Sequence, residues 1–229
     1  MKFRKAMSDF SQANNSLPHY MKLKKINPDL LNGLVESGYS DANELQAQTF
    51  STIKSGADCI IISPDGTGKS TTIVINVIQQ LVAEGEESPR ALIVVEDKSK
   101  VLEMEELFER VGKHNGLRVY GVHDRSDLEY DKNYISTGVD ILIGTPNRLS
   151  EMFTTAGYNV NRLKMLIIDD AENILKLRHE TKLMRISNSI AKTQRLIFTD
   201  ILTEKVQVFA DKFLMDPYDF DMSEAEGEE

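Results

Sequence analysis

The sequence predicts an α/β fold in which helices cover both faces of a central, mostly parallel sheet. Short apolar runs rich in β-branched residues recur along the chain, as at 58–63 and 91–95. Continuous runs of this kind are typical of strands that are buried on both faces. Segments with the apolar spacing of helices separate the runs, and this alternation indicates repeated βαβ units.

The elements follow one another regularly. Two helices, over 29–37 and 45–54, are predicted before the first strand, and another is predicted over 71–84. A later helix is indicated by Val101, Met104, Phe108 and Val111, whose spacings of three and four place them on one helical face. The predicted strands cover 58–63, 91–95, 117–121, 139–143, 164–168 and 195–198.

Composition narrows the class of protein. The 229 residues are 41% hydrophobic and 28% charged, which is ordinary for a soluble globular chain. No segment approaches the ~18 consecutive apolar residues of a membrane span, and the N-terminus lacks the apolar stretch of a secretory signal. Cys59 is the only cysteine, which excludes a disulfide framework and a multi-cysteine metal site. A cytoplasmic location is therefore expected.

Charge divides the chain into three parts. The net charge of −9 argues against a protein coated with basic residues for nucleic acid, but the acids are concentrated at the end. Residues 216–229 carry seven acidic side chains and no basic one, which predicts a disordered tail. Residues 1–20 are polar and basic, which predicts a flexible extension. A single α/β domain is expected over 21–215.

A phosphate-binding loop follows the first predicted strand. The sequence SPDGTGKS over 63–70 lies between that strand and a helix, which is the context of a Walker A motif. Lys69 is expected to reach the β- and γ-phosphates, and the Ser70 hydroxyl to hold Mg²⁺. The residues expected to contact the nucleotide phosphates are Ser63, Asp65, Gly66, Thr67, Gly68, Lys69, Ser70 and Thr71.

Two acids follow a later buried strand, as nucleotide hydrolysis by such a loop requires. Asp169 comes directly after the predicted strand 164–168 and is expected to orient Mg²⁺. Asp170 or Glu172 is expected to orient the attacking water. Lys69, Asp169 and Asp170 are therefore the candidate catalytic residues, with Ser70 and Asp169 as the candidate metal ligands.

Several segments resemble motifs of the DEAD-box RNA helicases, in the family's order. Ile-Asp-Asp-Ala-Glu over 168–172 resembles the Asp-Glu-Ala-Asp signature. Gly-Tyr over 38–39, followed by Gln46, is similar to the end of the family's Q motif, which implies that Gln46 reads the adenine of ATP. The resemblance covers roughly 21–218 and corresponds to the first of the family's two RecA-like domains. It implies a RecA-like P-loop NTPase fold that binds ATP and Mg²⁺.

The resemblance also implies contacts with RNA. Thr-Pro-Asn-Arg-Leu over 145–149 is similar to the family's Thr-Pro-Gly-Arg segment, which implies that Thr145, Pro146 and Arg148 contact the RNA backbone. The segment 96–101 stands where the family has its Pro-Thr-Arg-Glu-Leu-Ala motif. It keeps a basic residue, Lys98, as the expected phosphate contact.

Departures from the family pattern affect hydrolysis most. Asp170 is one methylene shorter than the family's glutamate, and Glu172 replaces its aspartate. The family's Ser-Ala-Thr motif is Thr-Asp-Ile over 199–201, and no second RecA-like domain with arginine fingers is recognisable. An arginine finger contributes ~10³–10⁵ in rate in related NTPases. ATP binding is therefore expected to be more intact than hydrolysis, and unwinding by this chain alone is not expected.

Three functions remain open. The chain is either the ATP-binding half of a DEAD-box-type helicase, active with a second RecA-like domain supplied in cis or trans, or a nucleotide-binding switch or protein-interaction module without appreciable turnover. Asp170 and the Thr-Asp-Ile segment over 199–201 favour the second reading, whereas Lys69, Ser70 and Asp169 favour the first. A small P-loop kinase is the third, which Gln46 and the segment 145–149 disfavour.

Overall fold

A computed structural model of the chain describes residues 23–85, 87–190 and 192–223. Seven parallel strands form one sheet in the order β3-β4-β2-β5-β6-β1-β7. The strands are β1 Cys59–Ile62, β2 Ala91–Val94, β3 Val119–Val122, β4 Ile141–Gly144, β5 Met165–Ile168, β6 Gln194–Thr199 and β7 Tyr218–Asp221. The helices are α1 Pro28–Glu36, α2 Glu44–Lys54, α3 Lys69–Leu81, α4 Lys98–Val111, α5 Leu128–Ser136, α6 Pro146–Thr154, α7 Ala171–Lys176, α8 Glu180–Asn188 and α9 Glu204–Phe213.

Helices cover both faces of this sheet, which confirms the predicted α/β class. Cys59 and Ile61 of β1 face α1 to α4, and Ile60 and Ile62 face the layer formed by α5 to α9. All four side chains are buried, as expected for an interior strand of a parallel sheet. No helix among the described residues is both long and apolar enough to cross a membrane.

The sheet order places three chain segments side by side at the carboxyl ends of their strands. β6 lies between β5 and β1, with Ile168 opposite Ile197 and Ile62 opposite Thr199. The ladder continues past β1, because the Ser63 amide donates to the Thr199 carbonyl at 2.9 Å. Since the strands are parallel, the segments that follow β1, β5 and β6 emerge side by side at their carboxyl ends, where ligands bind in open α/β sheets.

The prediction of a disordered tail over 216–229 is wrong in part. Residues Tyr218–Asp221 form β7, which pairs with β1, and Met222 is buried against the same helical layer as Cys59. β7 is an edge strand with a single neighbour, so its acidic side chains remain in solvent while Phe220 packs on the core. The expected extension over 1–20 and residues 224–229 lie outside the described residues.

A buried carboxylate links the segments at the amino ends of three strands. Asp140, which precedes β4, is fully buried and accepts hydrogen bonds from Arg90 Nη2 at 2.7 Å and Arg118 Nε at 2.8 Å. It also accepts from the backbone amides of Gly85 at 2.8 Å and Arg118 at 3.0 Å. These contacts join the segments that enter β2, β3 and β4.

Candidate active site

The loop between β1 and α3 has the backbone geometry of a phosphate site. Gly66 and Gly68 have φ of +82° and +90°, values that glycine adopts without steric cost, and the backbone then enters α3 at Lys69. Ser63 stands where the general motif has glycine, and its hydroxyl donates to Thr67 Oγ1 at 2.7 Å. Thr67 in turn donates to the Pro64 carbonyl at 2.7 Å, which closes the loop.

Lys69 is buried at the centre of this loop. Its Nζ donates to the Ser63 carbonyl at 3.1 Å, to Asp65 Oδ1 at 3.2 Å and to the carboxylate of Asp200. The Asp170 carboxylate lies 3.9 Å away. Burial acts to lower the pKa of Lys69, but the neighbouring carboxylates, Asp200 first among them, outweigh it and raise the pKa. The ammonium is therefore charged and ready for an anionic ligand.

Asp169 and Asp170 follow β5 and lie beside this loop, as the sequence predicted of the acids after a buried strand. Both are almost fully buried, and the Asp170 amide donates to Asp169 Oδ1 at 3.2 Å. Burial and the charge of Asp170 raise the pKa of Asp169 to about 7. Burial also raises the pKa of Asp170, against the opposing effect of Lys100, whose Nζ lies 3.5 Å from Asp170 Oδ2. Carboxyl groups whose pKa is perturbed by burial and by neighbouring charges are common in functional sites.

The oxygen donors at this edge fit Mg²⁺, which prefers carboxylate and hydroxyl ligands. Ser70 is half-buried in the first turn of α3, and Asp169 is buried at the end of β5. Carboxylate oxygens of Asp65, Asp170 and Asp200 also lie within 4.8 Å of one another. Asp200 and Lys100 were not among the predicted site residues, because their approach to the loop depends on the order of the strands in the sheet.

Glu172 connects the signature segment to the end of β6. Its Oε2 accepts from Thr199 Oγ1 at 2.6 Å and from the Asp200 amide at 3.3 Å. Glu172 is 6% exposed. Glu172, the longer acid at the fourth position of the signature, therefore reaches Thr199 and fixes the backbone of Asp200.

Gln46 lies against the phosphate loop at the start of α2. Its side-chain oxygen accepts from the Asn43 amide at 3.0 Å, and the Asn43 side chain accepts from the Gln46 amide, which forms a capping box. Asn43 Nδ2 also donates to the Thr67 carbonyl at 2.7 Å. Gln46 is thereby held next to the loop. Thr71, the last of the predicted nucleotide contacts, is half-buried in α3.

The residues expected to contact RNA lie in two environments. Lys98 is exposed at the start of α4, and it lines a cavity of about 310 Å³ together with Thr145 and Asp124. Thr145 is buried, and its hydroxyl donates to Asp124 Oδ1 at 3.1 Å. Pro146 is the buried first residue of α6.

Arg148, by contrast, is engaged within the protein. Its side chain is 5% exposed and donates to Glu151 at 3.0 Å and to the carbonyls of His123, at 3.0 Å, and Ser126. The Asp131 carboxylate lies 3.8 Å from its Nε. The structure thus places Lys98 and Thr145 at one cavity, whereas the Arg148 guanidinium is buried against the segment 123–126.

Comparison with known proteins agrees with this geometry. Residues 43–207 match the family model described as DEAD/DEAH box helicase. The chain is 24% identical over 193 residues to ATP-dependent RNA helicase eIF4A of Debaryomyces hansenii, a match over 84% of this chain and 48% of that protein. It is 25% identical over 198 residues to ATP-dependent RNA helicase eIF4A of Eremothecium gossypii, over 86% and 49% respectively.

A third relative is longer. The chain is 28% identical over 207 residues to ATP-dependent RNA helicase DBP4 of Lodderomyces elongisporus, a match over 88% of this chain and 26% of that protein. The chain spans about half the length of the eIF4A relatives it matches. The family match covers most of the chain, from α2 to α9. The chain is a RecA-like α/β domain that belongs to the DEAD/DEAH box helicase family.

Proposed function

We propose that this chain is the ATP-binding domain of a DEAD-box-type RNA helicase, which binds ATP with Mg²⁺ and contacts RNA. The observation that supports this most directly is the buried, charged Lys69 in a glycine-shaped loop beside Asp169 and Asp170. The relatives are described as ATP-dependent RNA helicases. The single cysteine, Cys59, suits a reducing compartment such as the cytoplasm.

Each residue has a separate role in this proposal. Lys69 and the amides of the loop bind the phosphates, while Gln46 reads the adenine edge. Ser70 and Asp169 would hold Mg²⁺, which supplies charge neutralisation at the β- and γ-phosphates when it is bound. Asp170 positions the attacking water and takes its proton, as a general base does.

RNA is proposed to lie over the cavity between α4 and α6. Lys98 supplies a cation for the phosphate backbone there. Thr145 lines the cavity, and Pro146 begins α6 directly after it. Arg148 is proposed to act mainly by holding the 123–126 loop in place, since its guanidinium already donates to the carbonyls of His123 and Ser126. A partner that supplies a second RecA-like domain would complete this surface.

Nucleotide binding and turnover test this function together. Equilibrium binding of ATP and ADP is expected in the unmodified chain, with weak hydrolysis that single-stranded RNA stimulates. Lys69→Ala is expected to abolish both, whereas Lys212→Ala, a matched change at an exposed lysine of α9, leaves both unchanged. Absence of nucleotide binding in the unmodified chain would refute the proposal.

The alternative of a nucleotide-binding switch without turnover is favoured by two contacts. Asp170, the shorter of the two possible acids at its position, is paired with Lys100 and Lys69. Binding that Lys69→Ala abolishes, without hydrolysis under any RNA condition, would select the switch. RNA-stimulated hydrolysis would select the enzyme.

A further inference from the structure

We propose that Asp200 is a specificity-determining residue that disfavours the γ-phosphate, so that this site prefers a nucleoside diphosphate to the triphosphate. The inference rests on the proposed function, since it concerns the same phosphate loop. Asp200 carries a carboxylate that the proposed mechanism does not use. The evidence lies in the partners of Lys69 and in what holds each of them.

All donors of Lys69 have partners in the structure. An ammonium group has three hydrogens to donate, and the partners are the Ser63 carbonyl, Asp65 Oδ1 and the Asp200 carboxylate. A phosphate that binds Lys69 must therefore displace at least one of them. Which partner leaves decides the charge that the incoming phosphate meets.

The two carboxylates differ in how firmly they are held. The Asp65 side chain is 83% exposed on the loop itself, so it can turn into solvent when a phosphate arrives. The Asp200 side chain is 24% exposed, and its backbone amide donates to the buried carboxylate of Glu172. Asp200 also follows β6, which is hydrogen-bonded to the start of the loop through Thr199. Asp200 therefore remains beside Lys69 after the phosphate has bound.

Asp200 lies close to Asp170 as well as to Lys69, as Asp65 also does, but Asp65 can turn into solvent. The Asp200 carboxylate is within 4.8 Å of that of Asp170, the residue proposed to face the attacking water. The attacking water must approach the γ-phosphate, so a carboxylate beside Asp170 is closer to the γ-phosphate than to the β-phosphate. Among the residues that the structure describes, the cations that face the carboxylates of Asp170 and Asp200 are Lys69 and Lys100. A further negative charge is therefore less well compensated there than at the β-phosphate.

The discrimination can be measured as the ratio of the dissociation constant of a non-hydrolysable ATP analogue to that of ADP. One unit charge at about 4–6 Å in a partly solvated site changes an affinity on the order of tenfold. Asp200→Asn, which keeps the shape of the side chain, and Asp200→Ala are both expected to lower this ratio by about tenfold, through tighter binding of the analogue. Asp211→Asn, the same change of charge at an exposed position of α9, is expected to leave the ratio unchanged.

The titrations are made with and without Mg²⁺, on variants whose circular dichroism matches that of the unmodified chain. An unchanged ratio in both Asp200 variants, with nucleotide still bound, would overturn the inference and leave the proposed function intact. Weaker binding of the analogue by both variants in Mg²⁺ would also overturn it, because Asp200 would then be helping to hold the cation. Lys69→Ala separates the proposed function from this inference. It is expected to lose binding of both nucleotides, as the proposed function requires, whereas the Asp200 variants keep binding both.

Discussion

Replacing Asp140 with asparagine is expected to destabilise the domain strongly. The carboxylate is fully buried and accepts charged hydrogen bonds from Arg90 and Arg118. It also accepts from two backbone amides, including that of Gly85. Asparagine keeps the shape but not the charge, so both guanidinium groups lose the carboxylate that neutralises them.

The structure sets the size of the effect. Removing one partner of a buried ion pair costs about 3–5 kcal/mol, because the remaining charge is left uncompensated. Arg90 is 13% exposed, but Arg118 is 34% exposed and can recover part of its hydration. The loss for Asp140→Asn is therefore expected near the lower limit, at about 3 kcal/mol in the free energy of unfolding.

Urea unfolding followed by circular dichroism measures this loss. With a slope of about 2 kcal/mol per molar urea, the midpoint is expected to fall by about 1.5 M at pH 7. Asp211→Asn, at an exposed position, is expected to change it little. A fall of less than about 0.3 M in Asp140→Asn would show that the arginines are not held as described here.

The same variant has a pH signature. Burial acts to raise the pKa of Asp140, but the hydrogen bonds from Arg118 and Arg90 outweigh it and hold the pKa below its usual value. The stability that the carboxylate contributes is therefore fully present above its unfolded pKa of about 3.9. It is lost as the pH falls through the lower folded value. The difference between the two proteins is thus expected to be full at pH 7 and to shrink below about pH 4.

Other changes test the phosphate loop and its surroundings. Glu172→Asp, which moves the signature toward the family pattern, is expected to lower the unfolding free energy by about 1 kcal/mol in urea, because the shorter acid no longer reaches Thr199; equal or greater stability would contradict that contact. Gly68→Ala is expected to weaken ADP binding at least tenfold in titration calorimetry, since alanine strains a backbone with φ of +90°; unchanged affinity would contradict a loop held in this form. Arg148→Ala is expected to lower the melting temperature, whereas Lys98→Ala lowers RNA affinity alone in filter binding; the reverse result would place Arg148 at the RNA.

Local sequence patterns predicted most of the architecture. The apolar runs and helical spacings predicted β1 to β6 and the parallel sheet, because strands buried on both faces are continuous apolar runs and amphipathic helices have a period that the chain displays directly. β7 was missed because Asp219 and Asp221 dominate its composition. An edge strand pairs through backbone groups on one side, and it needs only an occasional apolar residue such as Phe220.

The residues of the candidate site also divide into those that a local sequence pattern predicts and those that it does not. Lys69 and Gly68 belong to one short segment with its own sequence signature, so their placement on the loop could be predicted. The approach of Asp200 to Lys69 joins positions that are 131 residues apart, and it depends on β6 lying next to β1. The burial of Arg148 depends likewise on Asp131, on a helix packed from elsewhere. Contacts of this kind follow from topology, which no local pattern contains.

β7 also affects the strand that carries the phosphate loop. Because β7 and β6 both pair with β1, the strand that carries the phosphate loop has no open edge. Its amides, over Cys59–Ile62, should therefore be among the slowest in the domain to exchange with solvent deuterium, and they should open only with the whole sheet. The loop is then mounted on a base that is ordered before any ligand arrives, and little conformational entropy is lost there on binding.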